Sequence, residues 1–134
     1  NGKKIVLCHG VFDIVHTGHL KYFKLAKQKG DILIVSVTSD QFVNKGPLRP
    51  INKLRDRVLF LKNLKDIDYV LESNSETSKK IIREIKPNFY CKGPDYKFKK
   101  FKDKNLKVEI DEVEKFRGKF IILDHVTKSS TKII

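Results

Sequence analysis

The chain has 134 residues, 29 of them basic and 16 acidic, for a formal net charge of +13. That length supports one domain around one core, and 40% hydrophobic with 34% charged residues excludes a disordered or fibrous chain. No apolar run reaches the ~20 residues of a membrane span, no signal-peptide pattern opens the chain, and two cysteines cannot make a disulfide scaffold, so a cytoplasmic protein without membrane partners is expected.

The first element is a strand over residues 4–8, with Ile5, Val6 and Leu7 in series, closing on His9-Gly10. Leu20, Phe23 and Ala26 recur at helical spacing over 17–29, and Gly30 stops that helix. Residues 31–38 are nearly continuous apolar, mostly β-branched sequence, the mark of a strand buried on both faces. A Gly-Pro-rich loop at 44–50 leads into a helix marked by Leu54, Val58, Leu61 and Leu64. Short strands are predicted at 68–71 and 88–91, flanking a helix at 77–85 that Lys86-Pro87 ends. A last strand follows at 119–123, and Ser129 opens a helix.

Strands alternating with helices predict an α/β fold: a Rossmann-like, doubly wound, five-stranded parallel sheet with helices on both faces. Ligands of such sheets bind beyond the carboxyl ends of the strands, where the strand order reverses. The loops to search are therefore 10–19, 40–50, 92–96 and 125–131.

The charge is 24 Lys and 5 Arg. Sequence-specific DNA readers rely on the planar fork of arginine, so a lysine-dominated surplus reads as solvated surface, and nucleic acid is not the expected partner. Between Lys92 and Lys107 seven lysines stand against Asp95 and Asp103, interleaved with Tyr96, Phe98 and Phe101. This block reads as a charged excursion rather than a nucleic-acid arm. The chain has no methionine and starts at Asn1, so residues 1–134 are expected to be a single domain excised from a larger parent.

After the first strand the chain reads His9-Gly10-Val11-Phe12-Asp13-Ile14-Val15-His16-Thr17-Gly18-His19, which matches neither the dinucleotide G-x-G-x-x-G nor the P-loop pattern. His16 and His19 share one face of a first helical turn, with Thr17 as the expected cap and Gly18 permitting close backbone approach. Neutral imidazole N–H donors beside the positive end of a helix suit a phosphate on which negative charge develops. Zinc held by Cys8, His9, His16 and His19 is disfavoured, because adjacent residues of a strand point to opposite faces. The plain alternative is two surface histidines on one helix face; the buried strand ahead, with Gly10, Phe12, Asp13 and Gly18 around them, weighs against it.

Gly10-Val11-Phe12-Asp13 followed by His16-Thr17-Gly18-His19 resembles the H-x-G-H nucleotidyltransferases of the cytidylyltransferase type, relatives of the class I aminoacyl-tRNA synthetase core. Lys45-Gly46-Pro47, Arg49-Pro50 and Arg57 match the basic loop and helix after the second strand of those enzymes. Lys92-Gly93-Pro94-Asp95-Tyr96 is similar to the Lys-Gly-Gly-Asp-Tyr segment of the heptose-phosphate adenylyltransferase domain, which in bacteria is often fused to a sugar kinase. Ser129-Ser130-Thr131 matches a Ser-Thr-Thr helix start near the C-terminus.

The resemblance implies transfer of a nucleoside monophosphate from ATP or CTP to a phosphorylated sugar or polyol, releasing pyrophosphate, in activated-sugar synthesis of the lipopolysaccharide type. It implies catalytic roles for His16, His19 and Lys45. It places Gly10, Val11, Phe12, Asp13, Gly18, Arg57, Lys92, Gly93, Asp95, Tyr96, Ser129, Ser130 and Thr131 at the nucleotide. Mg²⁺ is expected with the triphosphate, and Asp13 either ligates it or orients the loop. A homodimer and a fused or partner kinase domain are also expected. Two departures stand out: Pro94 replaces the second glycine of the heptose-type loop, and Asp124-His125-Val126-Thr127-Lys128 stands where glycerol-phosphate cytidylyltransferases carry Arg-Thr-x-Gly-Ile. The alternatives are a glycerol- or other alcohol-phosphate cytidylyltransferase and, from another class, a noncatalytic nucleotide- or RNA-binding module.

Overall fold

A computed structural model describes residues 2–43, 46–96 and 103–123. In chain order the elements are β1 (Ile5–Gly10), α1 (Thr17–Gln28), β2 (Ile32–Thr38), α2 (Leu54–Lys62), β3 (Tyr69–Ser73), α3 (Lys79–Ile85), β4 (Phe89–Lys92), α4 (Lys104–Lys115) and β5 (Lys119–Ile122). The five strands pair in the order β3-β2-β1-β4-β5, every pair parallel. The chain therefore winds outward from β1 in one direction, crosses over, and winds outward from β4 in the other. The order reverses between β1 and β4.

Side-chain alternation along the strands divides the core into two layers. Val6, Cys8, Leu33, Val35, Val37 and Cys91 face Phe23, Ala26, Val58 and Leu61 of α1 and α2. Leu7 and Tyr90 face Ile81, Ile82 and Val113 of α3 and α4. The Rossmann-like, doubly wound α/β architecture is thus as expected, with two of the described helices on each face. Cys8 and Cys91 are register partners in β1 and β4, both reduced. Burial holds both thiols in the protonated, unreactive form.

Local boundaries follow capping chemistry. The N-cap of α1 is His16 rather than the expected Thr17, because the imidazole Nδ1 accepts the Gly18 N–H at 3.0 Å. Asp103 caps α4, its Oδ1 accepting from the amides of Asn105 (2.9 Å) and Leu106 (3.1 Å). The α4 helix has no counterpart among the predicted elements. Its buried face carries Leu106, Ile110 and Val113 at helical spacing, but Glu109 and Glu112 are buried beside them and break the apolar stripe. The predicted helix from Ser129 lies outside the described residues. No described helix is long and apolar enough to cross a membrane.

Candidate functional site

The turn after β1 carries the first part of the site. Phe12 sits in the left-handed region at φ 51°, a costly conformation for an aromatic residue. Its ring packs against Phe23 at 5.3 Å and against His19 at 5.8 Å between centroids. The ring also closes over Gly10, where a Cβ would lie 2.9 Å from the ring edge, so any larger residue there would have to displace the ring.

His16 and His19 are stacked at the start of α1, 4.2 Å between ring centroids. They cap reciprocally: the Gly18 amide donates to His16 Nδ1 at 3.0 Å, and the His16 amide donates to His19 Nδ1 at 3.1 Å. A neutral imidazole whose Nδ1 accepts must carry its proton on Nε2. The backbone amides thus engage Nδ1 of both rings, which puts the ring N–H of the neutral form on Nε2. A Cβ at Gly18 would lie 2.8 Å from the His16 ring, so the ring takes its place over the glycine. The first turn of α1 contains no acidic residue, leaving the positive end of the helix uncompensated.

Asp13 is buried at 8% exposure and is committed to the loop. Its Oδ2 accepts from Ile51 N (2.7 Å) and Arg49 Nη1 (3.1 Å), and its Oδ1 from Asn52 N (2.8 Å). The Asn52 side chain returns a bond to the Asp13 carbonyl at 2.7 Å. Burial alone would raise this carboxyl, but the Ile51, Asn52 and Arg49 donors outweigh it and hold it below the usual range. Of the two roles open to Asp13, loop orientation is the one its geometry performs. With three donors on its two oxygens it does not fit as a magnesium ligand, and no cluster of three His, Cys, Asp or Glu able to hold a metal occurs among the described residues.

Arg57, expected at the nucleotide, is folded inward. Its side chain is fully buried and donates to the carbonyls of Asn52 (2.9 Å), Val11 (2.8 Å) and Thr38 (2.7 Å) and to Asp40 Oδ1 (2.6 Å). It fastens the turn after β1 to the end of β2. Lys92 is likewise buried, its Nζ donating to the His9 carbonyl at 2.7 Å and lying over the rings of Tyr90 and Tyr96 at 5.4 and 4.8 Å. Gly93 accepts from the Tyr96 amide at 3.1 Å, closing a short 3₁₀ turn, Pro94–Tyr96, that includes Asp95. Lys45, Ser129, Ser130 and Thr131 lie outside the described residues.

Two hollows flank the Gly10–Asp13 turn. One, of about 330 Å³, is lined by Phe12, Asp13, Ile14, Asn52, Arg57 and Phe60 among others. The second, of about 380 Å³, lies where the strand order reverses and brings Gly10, Val11, Lys92 and Tyr96 together with His9, Thr38, Glu76, Asn105 and Glu109. Those last five complete the second wall. His9 entered the sequence reading only as a rejected zinc ligand; Asn105 and Glu109 were hidden with their helix. His9 is 7% exposed, and its Nδ1 lies 2.7 Å from the Ser36 hydroxyl. Burial, reinforced by the Lys92 ammonium, pushes its pKa down to about 3, so the ring is neutral at physiological pH.

The cytidylyltransferase-like family profile matches the chain over residues 7–134. The bifunctional protein HldE of Wolinella succinogenes is 43% identical over 120 residues, which are 88% of this chain and 25% of that protein. The protein of the same name from Hahella chejuensis is 38% identical over 100% of this chain and 27% of its own length. The chain thus spans about a quarter of the length of the curated relatives it matches. Among solved structures, the lipopolysaccharide core biosynthesis protein from Thermoplasma volcanium GSS1 is 28% identical with a TM-score of 0.74, over 92% of this chain and 98% of that one. Pantoate-beta-alanine ligase from Francisella tularensis, 18% identical with a TM-score of 0.59 over 98% of this chain and 66% of that one, shares the fold alone.

Proposed function

Because the chain belongs to the cytidylyltransferase-like family, we propose that it is a nucleotidyltransferase moving a nucleoside monophosphate onto a phosphorylated sugar. The donor is ATP, by similarity to the heptose-phosphate adenylyltransferase domain, and the product is an activated sugar for lipopolysaccharide-type synthesis. Relatives named as bifunctional and about four times as long fit a second domain, a kinase that makes the acceptor phosphate.

In this reaction an acceptor phosphate oxygen attacks the α-phosphorus. The new P–O bond forms as the bond to the bridging oxygen breaks, and the electron pair leaves with pyrophosphate. The nucleophile is already an anion, so no general base is required. The work left to the protein is in-line positioning and stabilisation of charge on the α-phosphate. His16 and His19 do this through their Nε2–H donors at the head of α1. Lys45 and the hydroxyls of Ser129, Ser130 and Thr131 are assigned to the remaining phosphates. Asp13 and Arg57 act on the reaction only by positioning the turn. Mg²⁺ arrives with the triphosphate as part of the substrate, not in a protein cage.

The observation that carries this reading is the reciprocal His16–His19 cap, which engages both Nδ1 atoms with backbone amides and holds the two rings side by side at the head of α1. The test is pyrophosphate release across four nucleoside triphosphates and a panel of sugar and polyol phosphates. Wild-type turnover is expected with ATP and a sugar phosphate. His16→Ala should lower kcat by roughly 10²- to 10³-fold, the cost of one oxyanion donor. It should cost only about 1 kcal/mol of stability, that of a lost cap. A fully active His16→Ala protein would remove the assignment. No turnover with any pair, together with salt-sensitive RNA binding, would favour the noncatalytic alternative.

A further inference from the structure

We propose that Phe12 is a positioning residue for the transfer, its ring tying the His19–His16 pair to the hydrophobic core and holding both imidazole planes. The inference rests on the transferase reading and names the side chain that sets the geometry of its donors. Its first support is the backbone. Among the described residues, three other than glycine have positive φ: Phe12, Lys86 and Arg117. Lys86 is the C-cap of α3 and Arg117 directly follows the C-cap of α4, where a left-handed residue commonly ends a helix. Phe12 lies in a loop and has no such reason. Its conformation is imposed from both sides: Arg57 holds the Val11 carbonyl at 2.8 Å, and Ile51, Asn52 and Arg49 hold the Asp13 carboxylate. Glycine would take this conformation without steric cost, so a phenyl ring kept there points to a role for the ring itself.

The second support is what that ring touches. Four rings run in series, Phe23–Phe12–His19–His16, with centroids 5.3, 5.8 and 4.2 Å apart. Burial falls along the series: Phe23 is in the core, Phe12 and His19 are half-buried, and His16 is exposed. The torsion that turns an aromatic ring about its own bond has a broad minimum, so neighbours must set the plane of an imidazole. The His16 amide engages one edge of the His19 ring, at Nδ1. A hydrogen bond at one edge leaves rotation about that bond, and the Phe12 ring, at 78° to the imidazole, opposes it. The His19 ring is in turn the surface against which His16 lies. Loss of the Phe12 ring therefore reaches both imidazoles through His19. Donors to a developing charge must be held to a fraction of an ångström, so such a loss falls on the chemical step.

The test combines amide hydrogen exchange, followed by NMR on the free protein, with steady-state pyrophosphate release from ATP and a sugar phosphate. Wild type is compared with Phe12→Leu, which keeps an apolar side chain at the turn without a ring, and with Phe12→Gly, which removes the ring and relieves the backbone. Both variants should lower kcat roughly ten- to a hundredfold. KM for ATP and for the acceptor should stay within about twofold, because the imidazoles act on charge that develops in the transition state. In both variants the His16 amide, which donates to His19 Nδ1, should exchange several-fold faster than in wild type. The Asn105 and Leu106 amides, capped by Asp103 at the head of α4, should keep their rates. A merely structural role would speed both sets of amides alike and leave kcat per folded molecule unchanged, which would overturn the proposal. A Phe12→Gly protein with full kcat would overturn it too, since the left-handed backbone would then be all the site needs. Absence of wild-type turnover with every pair is a different result, and it removes the transferase reading itself. The exchange measurement, made without substrate, still decides whether Phe12 holds the imidazole pair.

Discussion

Arg57 and Asp13 are charged residues beside the turn after β1, yet their charges are neutralised inside the protein. Arginine can do this because its planar fork presents several donors in fixed directions, and here it reaches three carbonyls and Asp40 at once. Lysine has one ammonium and cannot bridge the same four oxygens. Arg57→Lys should therefore destabilise the fold by about 2–3 kcal/mol, since buried carbonyls lose their donors. Urea unfolding measures this directly; an unchanged midpoint combined with a raised KM for the triphosphate would restore Arg57 as a substrate clamp. His16 and His19 show the converse case. Each uses Nδ1 for the backbone, so in the proposed reaction capping and phosphate recognition would use different atoms of one ring.

At the scale of elements, the packing of α4 on α3 is polar as well as apolar. Glu109 of α4 takes the Tyr90 hydroxyl from β4 and the amide of Ser78, the N-cap of α3, while Glu112 pairs with Arg83 at 3.0 Å. Removing Glu109 leaves a buried O–H and N–H unsatisfied; removing the Tyr90 hydroxyl leaves Glu109 with its second partner. Glu109→Ala should therefore cost about 2–4 kcal/mol, Tyr90→Phe about 1, and the double variant less than their sum by roughly 1 kcal/mol. Strict additivity in a urea-unfolding cycle would show that the contact couples nothing.

The same carboxylates explain why α4 was not legible in the sequence. Leu106, Ile110 and Val113 keep helical spacing, but a buried face carrying two glutamates, directly after a lysine-rich block, reads as solvated charge. The β-branched strands carried the opposite message unambiguously. The parallel sheet and its two covered faces followed from the alternation of strands and helices, whereas the place of the reversal, between β1 and β4, came only with the strand order. The site was legible where a motif is local, as from Gly10 to His19. It was not legible where a cavity wall is assembled from residues far apart in sequence, as with His9, Glu76 and Asn105. Nor does sequence spacing reveal whether a cation faces solvent, as expected of Arg57, or is folded inward, as observed.

At the scale of the molecule, these buried groups predict how stability depends on pH. His9 has a folded-state pKa of about 3 against an ordinary 6.5, so between those values the unfolded chain holds one more proton than the folded one. Stability then rises with pH across that interval, with a slope of about 1.4 kcal/mol per unit from this residue. Acidification from pH 6.5 should weaken the fold well before any carboxylate titrates. Asp13, Asp68 and Glu112 act lower down. Each has a folded pKa below its ordinary 3.8 or 4.5, so its contribution is complete above that value and is lost as pH falls through the depressed one. The excess of 29 basic over 16 acidic residues works in the same direction, because protonating acids leaves more unbalanced positive charge to repel itself. Urea unfolding of wild type at pH 7, 6 and 5 should show falling stability below 6.5, while His9→Asn should be nearly flat over that range and join the decline only below about pH 4.5. If wild type and His9→Asn lose stability in parallel between pH 6.5 and 5, the proton taken up on unfolding does not go to His9, and a neutral imidazole in the cavity wall is the wrong description.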